Sequence, residues 1–102
     1  MTDARMLGRT DARTGGLQVS VVSPEQALFE GDAAAIVAPA YDGKVGILPR
    51  HAPFLTLLGT GDLVIRGGEG SRRFQVSGGF LQVMGDKVRV VAEQARDRGQ
   101  VP

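Results

Sequence analysis

From Leu17 onward the apolar runs are short and punctuated by glycine, proline and aspartate, and the 102 residues include fifteen glycines. That rhythm rules out long amphipathic helices and predicts short strands joined by tight turns, the pattern of an all-β sandwich or barrel. "LQVSVVS" alternates, so that Leu17, Val19 and Val21 share one face of a strand. "AAAIVAPA" supplies a second strand ended by Pro39. Between them "SPEQALFEG" has Ser23 and Pro24 as helix-start residues, but Gly31 follows too soon, and the segment is read as a strand connection. Beyond a loop at 42–53, "FLTLLG" and "DLVIR" read as strands, and "GGEGS" turns the second of them into "RRFQVSGG", with Phe74 and Val76 on one face. "FLQVM" and "KVRVVAE" form another hairpin around Gly85 and Asp86, with Leu81 and Val83 opposing Val88 and Val90.

The ends differ from the middle. Residues 1–16, with "TDAR" at 2–5 and again at 10–13, lack an apolar anchor and are expected to form a flexible arm. Ala92–Arg98 has helix-favouring residues, but Gly99 and Pro102 limit it to two turns at most, so 96–102 is expected to be a short tail after a domain at 17–95. A chain of this length holds one domain. Its net charge of +1 comes from scattered bases, which argues against a nucleic-acid footprint. No apolar run approaches the roughly 20 residues that span a bilayer as a helix.

Few residues could carry chemistry. His51 is the only imidazole, and although Ser23, Asp42 and Thr56 could be drawn around it as a triad, no nucleophile-elbow signature accompanies them. Without cysteine, one histidine cannot build a structural zinc site, and the carboxylates have no paired-ligand spacing. "GGEG" lacks the Lys-Ser/Thr of a phosphate cradle. No catalytic, metal or cofactor residue is therefore assigned. Two features remain. "SGG" at 77–79 reads as a bend that swings the chain between sheets, or as a place where another backbone comes close. "LPRHAP" is stiffened by Pro49 and Pro53, so it is either a rigid crossover or a preorganised contact loop presenting Arg50 and His51.

Three ordered segments carry a family resemblance that covers about Leu17 to Ala95: "VVSPEQALFEG", "DGKVGILPRHAPFLTLL" and "FQVSGGFLQVMGDKVRVVAEQA". They resemble the amino-terminal β-sandwich of the epsilon subunit of bacterial F-type ATP synthases. The resemblance implies a flattened two-sheet sandwich of about ten short strands and a non-catalytic subunit of the central rotor stalk. Such a subunit couples proton- or sodium-driven rotation of the c-ring to the gamma subunit, and through it to the catalytic head, at the cytoplasmic face of the bacterial inner membrane. It also implies ring contacts at Asp42, Lys44, Arg50 and His51 and gamma contacts at Ser23 and Thr56. Many members carry an acidic residue where this chain has Lys44, and most continue into a two-helix carboxy-terminal domain that is not expected here. Two alternatives differ in class: a lipoyl- or biotinyl-type carrier domain with Lys87 as the modified residue, and a generic β-sandwich adaptor.

Overall fold

The computed structural model describes residues 16–67 and 70–101, and every regular element among them is a strand. Residues 1–15, expected to form an arm, lie outside the described residues. In chain order the strands are β1 (Leu17–Val22), β2 (Ala27–Ala33), β3 (Ala35–Ala40), β4 (Gly43–Ile47), β5 (Phe54–Leu57), β6 (Thr60–Gly67), β7 (Gly70–Met84) and β8 (Lys87–Val101). Hydrogen bonding connects them in the order β2-β1-β8-β7-β6-β3-β4, with β5 pairing on β7.

The length of β7 and β8 converts this one ladder into two layers. The second half of β7 pairs with β5 (Phe54↔Val83 to Leu57↔Phe80), and its first half pairs with β6 (Thr60↔Ser77 to Gly67↔Gly70). One layer is therefore β2-β1-β8-β7-β5, and the other is β4-β3-β6-β7-β8. Where about ten short strands are expected, the described residues form eight, because the two 15-residue strands serve both layers.

The crossing lies at "SGG", where Gly78 and Gly79 have φ of 72° and 102°. Both readings of this motif hold. The buried side chains are Phe74 and Val76 before it and Leu81 and Val83 after it, so the pleat changes phase as the strand changes layer. A Cβ on Gly79 would overlap the Val91 carbonyl oxygen on β8, which only a glycine avoids. Beside the bend, Leu58 and Gly59 carry the chain from β5 to β6. The Leu58 amide donates to the Gly79 carbonyl at 2.9 Å, and the Gly59 amide donates to the Pro39 carbonyl at 2.9 Å.

The core forms between the layers from the alternating positions. Leu17, Val19 and Val21 are buried with Val88, Val90, Leu81 and Val83 in one layer, facing Ile36, Leu63, Ile65, Phe74 and Ile47 of the other. The predicted opposition within the hairpin is present as Leu81↔Val90 and Val83↔Val88. β1 also runs parallel to β8, Gln18↔Lys87 through Val22↔Val91, which joins the two ends of the domain.

Four local expectations are corrected. "ALFEGDA" is not a connection but the edge strand β2, paired antiparallel with β1 from Leu17↔Ala33. The supposed loop at 42–53 contains β4, which pairs with β3 from Ile36↔Ile47 to Ala40↔Gly43, leaving a two-residue turn at Tyr41–Asp42 and a loop at 48–53. β3 passes through Pro39, because the ladder to β6 stops at Val37 and requires no amide there. Residues 96–101 do not leave as a tail. They continue β8 along β7, Gln75↔Arg96 to Ser71↔Val101, and this pairing overrides the helical preference of "AEQAR".

Candidate functional site

The residues singled out from the sequence occupy three places on the surface. Asp42 is at the exposed tip of the β3–β4 hairpin, and Lys44 follows it on β4, opposite Pro39. Arg50 and His51 lie at the other end of β4, in the 48–53 loop. β4 thus separates the two pairs, and the four do not converge on one point.

The 48–53 loop is held by its backbone. The Arg50 amide donates to Asp86 Oδ1 at 2.7 Å, tying the loop to the β7–β8 turn. The only non-glycine residue with positive φ among the described residues is Arg50, at 64°. That conformation costs a side-chain-bearing residue about 1 kcal/mol. His51 turns its Nδ1 toward the Ala52 carbonyl at 2.8 Å and sets its ring edge-on to Phe54, with centroids 5.7 Å apart. The imidazole is therefore half-buried as a packing element, while the Arg50 side chain projects into solvent. Replacing Arg50 by Gly is expected to relieve the strain and raise stability by about 0.5 kcal/mol, after allowance for the freer unfolded chain. A thermal melt would register this as a rise of about 2–4 °C. A fall would mean that the guanidinium itself holds the loop.

Ser23 sits in the β1–β2 turn, where its amide donates to the Gln26 carbonyl at 2.9 Å and its hydroxyl to Glu25 at 3.3 Å. Thr56 lies on β5 opposite the buried Leu81, so it is half-buried and faces inward. Its neighbours Leu55 and Leu57 point outward, 67% and 62% exposed. Although β8 and β7 lie between them, Ser23 and Thr56 flank a common feature. In register across the outer face of this layer run Val22, Val91, Phe80 and Leu57. Ser23 follows the first of these residues and Thr56 precedes the last. Leu55 and Met84 extend the row with further exposed apolar surface, and Tyr41, whose amide donates to the Leu57 carbonyl at 3.1 Å, stands at its margin. The sequence reading identified the flanking polar residues and missed this row. The signal lay in "FLTLLG", which has more apolar residues than one buried face of a short edge strand can accept.

Among the described residues, no constellation for covalent chemistry is assembled around His51. Its ring contacts are Phe54 and the Ala52 carbonyl, while Ser23 and Thr56 make only local hydrogen bonds. Among the described residues no three acidic or histidine side chains gather closely enough to hold a metal ion. Lys87 stands beside the β7–β8 turn, as the carrier alternative requires.

Comparison with known proteins separates these readings. Residues 16–98 match the family model described as the ATP synthase delta/epsilon chain β-sandwich domain. The chain is 48% identical over 80 residues to the ATP synthase epsilon chain of Alkalilimnicola ehrlichii, covering 78% of this chain and 57% of that one. It is 49% identical over 81 residues to the epsilon chain of Halorhodospira halophila, with coverage of 78% and 57%. This chain therefore spans rather more than half the length of these relatives. Among solved structures, a chain of the Euglena gracilis mitochondrial ATP synthase assembly of OSCP, F1 and c-ring superposes with a TM-score of 0.76 at 21% identity, covering 81% of this chain and 54% of that one. At that identity the superposition speaks for the fold.

Proposed function

Since the chain belongs to the ATP synthase delta/epsilon β-sandwich family, we propose that it serves as a non-catalytic subunit of the central stalk of an F-type ATP synthase. It couples rotation of the c-ring to the gamma subunit and thence to the catalytic head, at the cytoplasmic face of a bacterial membrane. The observation that carries this reading is the apolar row on the outer face of the β2-β1-β8-β7-β5 layer. A face with Leu55, Leu57, Phe80 and Met84 exposed is suited to permanent cover by a protein partner, because exposed apolar clusters of this kind mark interaction surfaces. The gamma subunit is the partner assigned to it, with Ser23 beside one end, while Thr56, whose side chain faces inward, adjoins the other end through its backbone.

The polar loops of the c-ring are assigned to the other contacts. Asp42 and Lys44 on the hairpin tip and Arg50 and His51 on the latched loop bracket β4, offering charge without an apolar centre. Contacts of this kind steer and register more than they bind. The Arg50→Gly variant separates the two roles of that residue: stability is expected to rise while association with the ring weakens.

The apolar row is tested by Leu55→Asp/Leu57→Asp in a gamma-subunit pull-down. Burying one leucine contributes about 1.5–3 kcal/mol, so the double variant is expected to lose at least about tenfold in affinity. Because both side chains are already exposed, its circular dichroism should match the parent. Unchanged capture by a folded double variant would refute the assignment of this face.

A further inference from the structure

The outer face of the other layer, β4-β3-β6-β7-β8, has a different character. Alternation places Lys44, Arg66, Arg73 and Arg96 on it, and Arg98 joins them by donating to Gln75 Oε1 at 3.3 Å. Among the described residues, Asp62 is the only carboxylate that the register brings to this face, where it stands 3.9 Å from Arg73 Nε. Five bases among the described residues therefore meet one acid on this face, although the whole chain carries a net charge of only +1. The excess is local and is set by register: Arg96 lies opposite Gln75, which lies opposite Asp62. Among the described residues, the exposed apolar side chains of β5 and of the second half of β7 lie on the other layer.

We propose that this face docks an extended, carboxylate-rich segment of a protein partner, laid along β8 with its acidic side chains over Arg96 and Arg98. Three observations select that occupant. The charge is concentrated and complementary to carboxylates, and four of the five cations are guanidinium groups, whose planar fork grips a carboxylate by two hydrogen bonds. Along an extended chain, alternate side chains repeat every ~7 Å, the repeat at which β-strand positions such as 96 and 98 present theirs. Among the described residues, the far side of β8 from Gln94 to Val101 has no strand paired to it, so its backbone groups are free to extend the sheet by one strand. A purely protective role for these charges, keeping an edge from pairing with another copy of the chain, is the competing explanation. The inference does not depend on the rotor-stalk reading, since Arg96 and Arg98, which carry it, are assigned to neither the gamma contact nor the ring contact, and the test uses the isolated chain.

The test uses the full 102-residue chain and a fluorescein-labelled peptide of alternating Glu and Thr, twelve residues long, followed by anisotropy at fixed ionic strength. Binding is expected, and Arg96→Glu/Arg98→Glu should weaken it by about tenfold or more. Lys87→Glu/Arg89→Glu makes the same change in net charge on the other layer and should leave binding within about twofold. All four side chains are exposed, so each variant is expected to keep the parent's circular dichroism. Equal loss in both variants would reduce the effect to net charge and overturn the proposal. So would absence of peptide binding, binding only to vesicles of phosphatidylglycerol, or an Arg96→Glu/Arg98→Glu variant whose only change is self-association.

Discussion

Gly79→Ala is expected to destabilise the domain by about 3 kcal/mol or more, a large share of the roughly 5–15 kcal/mol that separates folded from unfolded states. Two effects combine. A φ of 102° lies where a residue with a side chain is strained, and the added methyl would overlap the Val91 carbonyl and lie 2.9 Å from the Ala92 Cα. Both obstacles are backbone of the paired strand, so no side chain can turn aside to make room. Forcing them apart would open the Phe80↔Val91 and Leu81↔Val90 pairs, where β7 and β8 begin their shared course through the first layer. For a domain of this size a thermal melt should fall by at least about 12 °C. Gly85→Ala is the control, because Gly85 also has positive φ, at 61°, but nothing lies within 4 Å of its added Cβ. That variant should lose only about 1 kcal/mol. Equal losses at the two glycines would show that the close approach at Gly79 is not what holds the bend.

Phe74→Ala is expected to follow closely, at about 3–5 kcal/mol, the range for emptying a buried aromatic site. Phe74 is fully buried and is the largest such side chain. Phe29 meets it edge-on with ring centroids 6.2 Å apart, and the Arg72 guanidinium lies 5.5 Å above the ring. Arg72 is itself held by Asp97 at 2.6 Å, so the ring supports a half-exposed ion pair that closes this end of the core. Removing it leaves a cavity and takes away the surface on which Arg72 rests. The denaturant midpoint should drop with the m-value unchanged, the mark of lost stability without a change in surface exposed on unfolding. A loss under 1 kcal/mol would mean that neighbouring side chains collapse into the space.

Much of the architecture was legible in the sequence because it is local. The period-two alternation of Leu17, Val19 and Val21 and the turn residues Gly85 and Asp86 act within a few positions, and they placed β1 and the β7–β8 hairpin correctly. β2 and β4 were hidden for a physical reason. In "ALFEGDA" and "GKVGI" most side chains remain exposed or half-exposed in the folded protein, so neither stretch carries a strong apolar alternation. Each is a strand because a neighbour offers it backbone hydrogen bonds, a property that belongs to the neighbour's sequence. Residues 92–98 reversed their own preference for the same reason, since β7 was there to pair with them.

The candidate surface divides in the same way. Charged positions such as Asp42 and Arg50 are exposed wherever such a chain folds, so they could be named in advance. Leu55 and Leu57 could not be assigned to a face, because "FLTL" is apolar on both sides of its pleat, and the inward place of Thr56 follows from its partner Leu81. The basic face required the register as well. Lys44, Arg66, Arg73, Arg96 and Arg98 lie far apart along the chain and are gathered only by the pairing of β4 through β8.

The sharing of β7 and β8 between the layers also governs how the protein comes apart. In a sandwich whose layers have separate strands, one sheet can melt while the other persists. Here each layer contains half of the same two strands, and the ladder from Ser71↔Val101 to Met84↔Lys87 passes through both. Local opening in one layer therefore loosens the other, and the domain has no internal boundary at which a partly folded form could settle. Its two faces, one apolar and one basic, are kept or lost together.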